Sequence, residues 1–334
     1  MQKVKKWAIM LLAAALSFAL FACSSKEPGG DTASDTNADE NKTDTIKIAY
    51  IVMAKTDAFG TSMEDGALEY ADKMGIQVDF QAPEKETDVE KQVQFMENAI
   101  TKGYDAIILS PADSTALAPV VKKANDADIP VVLVNNTMDQ EALDAADAYV
   151  ETYVGIEQYA AAALAGVYAS ETIPDGKTCY SEGISGVQAL DDRLNGFRDQ
   201  CGNFTVVASQ TARCDRNEGF NVMQNVLSAH PEMNVVWAVN AEMGQGAIQA
   251  IEQSGFSGRV QVFDFDAAPD DLQAIKDGTL AGTVAQYPNL QAEAAIQACL
   301  DVLDGKELLA HTKTKASLVT AENVEAFEAG EDIG

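Results

Sequence analysis

Gly103-Tyr-Asp-Ala-Ile-Ile-Leu-Ser-Pro-Ala-Asp-Ser114 changes character within two positions. The four uncharged residues Ala106 to Leu109 have the pattern of a strand buried on both faces, and such strands belong to parallel sheets covered by helices. The strand ends at Ser110, because Pro111 has no backbone donor to give a central ladder. Asp113 or Ser114 can then cap a helix expected from Thr115. Open α/β sheets place ligand groups at strand-to-helix turns of this kind, on the carboxyl edge. Ser110 and Asp113 are therefore pocket candidates, with satisfaction of backbone donors as the simpler role for Asp113.

The same grammar extends in both directions. Towards the N-terminus lie a strand at Ile46–Met53, a helix at Thr61–Met74, a strand at Ile76–Phe80 and a helix at Asp88–Lys102. Towards the C-terminus a helix at Thr115–Ala127 leads to the uncharged strand Ile129–Val134, which stops at Asn135-Asn136. Alternating strands and helices without hairpin signals predict a parallel, doubly wound sheet. After a hinge near Thr152 the pattern restarts, with strands at Thr178–Ser181, Phe204–Ser209, Val235–Val239, Val260–Phe265 and Ala281–Ala285. Helices are expected at Ala189–Gln200, Glu218–Ala229, Gly244–Gln253 and Asp270–Lys276. The fold class is thus α/β, with two doubly wound Rossmann-like lobes facing each other across a ligand cleft.

The chain of 334 residues is long enough for two such lobes with real cores. It opens with Lys3, Lys5 and Lys6, an apolar run from Trp7 to Phe21, and Leu20-Phe-Ala-Cys23. A basic start, an apolar stretch and a small-residue cleavage site make a secretory leader over residues 1–22. The site resembles a bacterial lipobox, in which the cysteine, here Cys23, is lipidated and becomes the mature N-terminus. Loss of the leader leaves 20 basic against 52 acidic residues, a net charge of −32. Nucleic acid is then an unfavourable partner, since phosphate binding needs basic patches. Residues 23–44, rich in Ser, Thr, Asp, Glu, Asn and Gly, cannot bury enough surface to fold and read as an acidic tether. A flexible coil of this length reaches about 25 Å, so the folded body is expected outside the cytoplasm, just off a membrane.

At the carboxyl ends of the strands the polar set is Asp57, Ser110, Asn135 and Asn136 from the first lobe and Asn240, Asp266 and Gln286 from the second. Arg193 joins them if its helix directs its first turns at the cleft. Amides, a carboxylate and a guanidinium offer paired donors and acceptors, which suits adjacent hydroxyls on a ligand. His230 and His311 lack neighbours at ligand spacing, so no metal is expected. There is no nucleophile elbow, phosphate loop or dinucleotide fingerprint, so neither a cofactor nor an enzyme is expected.

The run from Gly103 to Ser114, Ile129-Pro-Val-Val132, Asn221-Val-Met-Gln-Asn-Val-Leu-Ser-Ala-His-Pro231, Asn240-Ala-Glu-Met243, Phe263-Asp-Phe-Asp266 and Val284-Ala-Gln286 together resemble the ribose-binding branch of the type I periplasmic solute-binding proteins. The resemblance runs from about Thr45 to Phe327. It implies three chain crossings between the lobes, residues 45–152 plus 287–315 forming one and 153–286 plus 316–334 the other. It also implies a monomer that closes on a sugar or related polyol and delivers it to the permease and ATPase of an ABC importer; a module sensing its ligand for a membrane receptor or kinase is the alternative. By resemblance Phe59 is the stacking aromatic, Arg193 the sugar-clamping arginine, and Asn240, Asp266 and Gln286 the polar ligands of the second lobe. Departures accompany the match. Asn135-Asn136 replaces an Asp-Arg pair, Gly60 stands where a second aromatic is usual, and Cys214 where the opposing one sits. Weaker ring stacking follows, and ribose itself is not expected. Finally, Cys179 and Cys201 lie at one edge of the second sheet, where either a disulfide or two buried thiols would fit.

Overall fold

The computed structural model describes residues 45–55 and 57–334. The leader, Cys23 and the tether lie outside the described residues. In chain order the elements are β1 (Lys47–Ile51), α1 (Ala58–Met74), β2 (Gln77–Gln81), α2 (Val89–Lys102), β3 (Ala106–Leu109), α3 (Ala118–Asp126), β4 (Val131–Val134), α4 (Gln140–Ala145) and β5 (Thr152–Gly155). There follow α5 (Gln158–Thr172), β6 (Lys177–Glu182), α6 (Gln188–Gln200), β7 (Thr205–Thr211), α7 (Arg216–Ala229), β8 (Val235–Ala238), α8 (Ala241–Gln253), β9 (Gln261–Asp266), α9 (Pro269–Asp277) and β10 (Gly282–Ala285). The chain ends with α10 (Pro288–Leu303), β11 (His311–Lys313), β12 (Ser317–Thr320) and α11 (Val324–Glu328).

The strands form two six-stranded sheets, ordered β11-β5-β4-β3-β1-β2 and β12-β10-β9-β8-β6-β7. All pairings are parallel except that of β10 with β12. In each sheet the order reverses at the first strand of the lobe, β1 beside β3 and β6 beside β8, which is where doubly wound sheets open a crevice. The uncharged strands are explained by burial on both faces. Ile48 and Tyr50 of β1 pack with α1 and α10 residues such as Met63 and Ile296, while Ala49 and Ile51 pack on the other side with Met96 and Val121. Alternate residues of one strand thus enter two separate cores.

Sheet membership places the chain crossings. β5 pairs with β4, so Thr152 to Gly155 still belong to the first sheet and the first crossing follows Gly155 rather than falling at Thr152. The second crossing lies between β10 and α10 and the third between β11 and β12. Several of these pieces leave little trace in the sequence. α5, Gln-Tyr-Ala-Ala-Ala-Ala-Leu-Ala-Gly-Val-Tyr-Ala-Ser-Glu-Thr, is apolar almost all round and shows no 3.6-residue polar face. Its packing against α6 is close, since a Cβ on Gly196 would lie 2.2 Å from the Tyr159 carbonyl oxygen. That contact sets the height of α6, and with it Arg193.

Two local expectations are corrected. The helix expected from Thr115 begins at Ala118, where Pro119 presets the first turn, and residues before it form a turn. Asp113 serves that turn, its Oδ1 accepting from the amides of Thr115 and Ala116, both at 2.8 Å, and it stands outside the cleft cavity.

Of the two arrangements open to Cys179 and Cys201, the structure has the buried thiols and not the disulfide. Cys179 points into the core under α7 and α8, whereas Cys201 lies in the core on the other face of the same sheet, its thiol donating to the Gly166 carbonyl at 3.4 Å. Sharing a sheet edge did not bring them together, because Cys201 ends α6 on the face that Tyr180 points to, while its strand neighbour Cys179 points to the opposite face. Cys179, Cys201, Cys214 and Cys299 are all free and buried. Alkylation of the unfolded, unreduced protein is expected to modify all four, and mass spectrometry finding any pair protected would contradict this arrangement.

Candidate functional site

The cleft encloses a cavity of about 60 Å³, room for roughly four waters or the ring of a small ligand. Its walls come from both lobes. The first lobe contributes the end of β1 (Val52 to Ala54), the N-terminus of α1, Ser110 after β3, and Asn135 and Asn136 after β4. The second contributes Arg193 from α6, Cys214 before α7, Asn240 before α8, Asp266 at the end of β9 and Gln286 after β10. Each of the ten residues expected from the sequence at a ligand site, Asp57 and Phe59 included, lines this one space.

Arg193 organises the second lobe's wall. Its side chain is only 4% exposed, a position where a guanidinium needs both neutralisation and hydrogen bonds. Asp266 Oδ1 lies 3.5 Å from Nη1, Nε donates to Gln158 Oε1 at 2.8 Å, and Nη1 donates to the Val239 carbonyl at 3.1 Å. The Phe265 ring covers one guanidinium face at 4.1 Å. Asp266 in turn accepts from Gln286 Nε2 at 2.5 Å and from the Ala241 amide at 3.2 Å. Burial pushes the Asp266 carboxyl up, and Arg193, the Ala241 amide and Gln286 work against it.

The same network reaches across the cleft. Gln286 Oε1 accepts from Asn135 Nδ2 at 2.7 Å, and Gln158 Nε2 donates to the Asn135 carbonyl at 2.9 Å. At the rim, Ser114 donates its amide to Gly186 O at 2.9 Å and accepts from the Gln188 amide at 3.1 Å. Asn136 Nδ2 donates to Pro111 O at 3.2 Å. The backbone bends sharply to make these walls: Asn135 (φ 61°), Cys214 (φ 60°) and Asp266 (φ 101°) all occupy positive φ. Non-glycine residues held there cost about 1–3 kcal/mol each and cluster at ligand clamps.

The sequence reading missed Glu86, in the loop between β2 and α2, which lines the cavity beside Cys214 and Asp57. It follows no strand end directly and sits in a polar run, so nothing in the pattern sets it apart. Burial, then the nearby Asp57, push its carboxyl up to about 8. Asp57 caps α1, its Oδ1 accepting from the Gly60 amide at 2.8 Å, and burial raises it to about 6 against that hydrogen bond. Behind Asp266, the fully buried Asp264 and Asp271 face each other; burial raises both, the neighbouring Asp271 adding to the rise at Asp264, while Asp271 reaches about 7 against hydrogen bonds from Gln245 and the Ala268 amide.

These raised carboxyls set a pH dependence. In the unfolded chain they titrate near pH 4, so between about pH 5 and 8 the native state binds more protons and stability falls as pH rises. Thermal melts at constant ionic strength are expected to show Tm dropping by a few degrees from about pH 6 to about pH 8.5. Glu86→Gln should flatten the upper part of that range. A Tm that climbs over the same interval would contradict the assignment.

Comparison with known proteins agrees with the geometry. Residues 48–307 match the family model described as periplasmic binding protein domain. The chain is similar to the ribose import binding protein of Bacillus subtilis, 33% identical over 307 residues, covering 91% of this chain and 95% of that one. It resembles in structure an ABC transporter periplasmic solute binding protein from Actinobacillus succinogenes with bound D-allose, with a TM-score of 0.80 and 31% identity over 84% of this chain and all of that one. It also resembles an ABC transporter solute binding protein from Bacillus halodurans with bound myo-inositol, with a TM-score of 0.77 and 30% identity over 85% of this chain and 98% of that one. Two mostly parallel sheets of like strand order, closed on a cavity lined from both, and a family match over most of the folded body lead to one conclusion: the chain belongs to the periplasmic binding protein family, as a type I sugar-binding protein.

Proposed function

We propose that this protein is the extracytoplasmic, lipid-anchored substrate-binding subunit of an ABC importer, capturing a sugar or sugar-like polyhydroxyl ligand by closure of its cleft. The observation that carries the reading is the Arg193–Asp266–Gln286 group, which shares one cavity with the amides of Asn135, Asn136 and Asn240. A guanidinium and a carboxylate side by side can each take two neighbouring hydroxyls of a ring, and the amides can donate and accept in the same plane. Phe59, with Val52, Met63 and Leu190, supplies apolar surface for a ring face. The relatives' ribose, D-allose and myo-inositol share this chemistry of adjacent hydroxyls on a small ring.

The identity of the ring differs from that of a ribose site as the wall departs from it. Asn135 and Asn136 bring neutral amides where the ribose-binding pattern has a carboxylate and a cation, and Cys214 brings a thiol in place of a ring. Stacking then falls to Phe59, and hydrogen bonds carry a larger share of recognition. Anchoring rests on Leu20-Phe-Ala-Cys23 and the acidic tether after it. A family fold built to deliver ligand to a membrane permease is well served by a body held within a tether's reach of the bilayer.

A thermal-shift screen of pentoses, hexoses and cyclitols is expected to find a stabilising member, since a ligand at a hundred times its Kd adds about 2.7 kcal/mol to apparent stability. For that ligand, Arg193→Ala and Asp266→Ala should each weaken binding by about 2–4 kcal/mol in calorimetry, because each leaves a buried charge without its partner. Parental affinity in both variants, with only Tm reduced, would make the pair structural and sink the site. For the anchor, Cys23→Ala is expected to abolish fatty-acid labelling and release the protein from the membrane fraction; unchanged labelling would refute lipidation there.

A further inference from the structure

The charges around the cavity do not balance. Asp57, Glu86 and Asp266 line it, and among the described residues Arg193 is its single cationic lining residue. Arg193 is committed to Asp266. Among the described residues, no lysine, arginine or histidine pairs with Asp57 or Glu86. Asp57 has one oxygen engaged at the α1 cap. Glu86 faces the Cys214 thiol, with Asp57 and Asp266 as further negative neighbours and Arg193 as the one opposing charge.

The imbalance continues outward. Asp57, Glu86 and Cys214 form the neck between the inner cavity and a second chamber of about 290 Å³. That chamber is lined by Glu84, Asp215, Glu218 and Glu242 against Lys85 and Arg213. Arg213 pairs with Glu218 at 3.6 Å, and Glu242 is taken by Arg216 at 2.8 Å. With a formal charge of −29 on the whole chain, the field at the mouth favours cations and opposes anions.

We infer that the ligand of this cleft is a polyhydroxyl ring carrying one protonated amine, of the amino-sugar or aminocyclitol class, with the ammonium held at the neck between Glu86 and Asp57. The inference rests on the sugar-binding reading above and deepens it. Two carboxyl groups that line one neck oppose each other's ionisation, and a neutral ring cannot relieve that. An ammonium with three donors can bond both, and the hydroxyls of its ring then fall to Arg193, Asp266, Gln286 and the three asparagines. The raised position of the Glu86 carboxyl is the other face of the same imbalance, a proton standing in for the missing cation.

The test compares matched pairs by calorimetry on the purified protein: D-glucosamine with D-glucose, D-galactosamine with D-galactose, and 1-amino-1-deoxy-D-fructose with D-fructose. At least one amine is expected to bind roughly ten- to a hundred-fold more tightly than its parent, the worth of a charge-assisted hydrogen bond. In Glu86→Gln that ratio should collapse towards one. Parents binding as tightly as their amines, or a ratio untouched by Glu86→Gln, would overturn the inference while leaving the sugar-binding function standing. No binding by any of the three amines would also overturn the inference, and the sugar-binding function would still stand or fall on the wider thermal-shift screen.

Discussion

A buried guanidinium is the constraint on which this cleft depends. Taking Arg193 out of water costs several kcal/mol unless its charge is matched and its donors are used. The matching groups come from the N-terminus of α5 (Gln158), the end of β8 (Val239), β9 (Phe265 and Asp266) and the residue after β10 (Gln286). Solving one desolvation problem therefore ties together most of the second lobe's carboxyl edge. Because Gln158 and Gln286 also bond Asn135, the same solution joins the lobes.

Strain and charge are concentrated at this edge as well. Asn135, Cys214 and Asp266 sit at positive φ, and Asp57, Glu86, Asp264 and Asp271 are carboxyls held up by burial. A chain selected only for stability would relax these features, for instance with glycine at Asp266 or an apolar residue at Asp264. Five of these residues, Asn135, Cys214, Asp266, Asp57 and Glu86, line a single cavity, which is what a binding site needs, since an unrelieved polar wall rewards a ligand that completes it. The remainder of each lobe is conventional by comparison: strands covered on both faces, and helices brought close by small residues such as Gly166 and Gly196.

Much of the architecture was legible because burial on both faces erases polarity from a strand. Ala106–Leu109 and Val131–Val134 read as continuous apolar runs for that reason, and the polar residues that follow them, Ser110 and Asn135, mark the carboxyl edge. Elements without such a signature went unread: α5 is apolar on nearly every side, and β11 and β12 are short pieces whose partners lie far away in sequence.

The sequence by itself determined the alternation of strands and helices, two lobes, and which polar side chains end their strands, since these follow from period, turn chemistry and local capping. Tertiary structure alone decided the rest, because it depends on distance between residues remote in the chain. Only there does Cys179 turn to the opposite face from Cys201, only there does β5 join the first sheet, and only there does Glu86 arrive beside Asp57 and Cys214. A carboxylate in a polar loop has no local mark of burial. Its environment, and so its charge, exists only once two lobes have met.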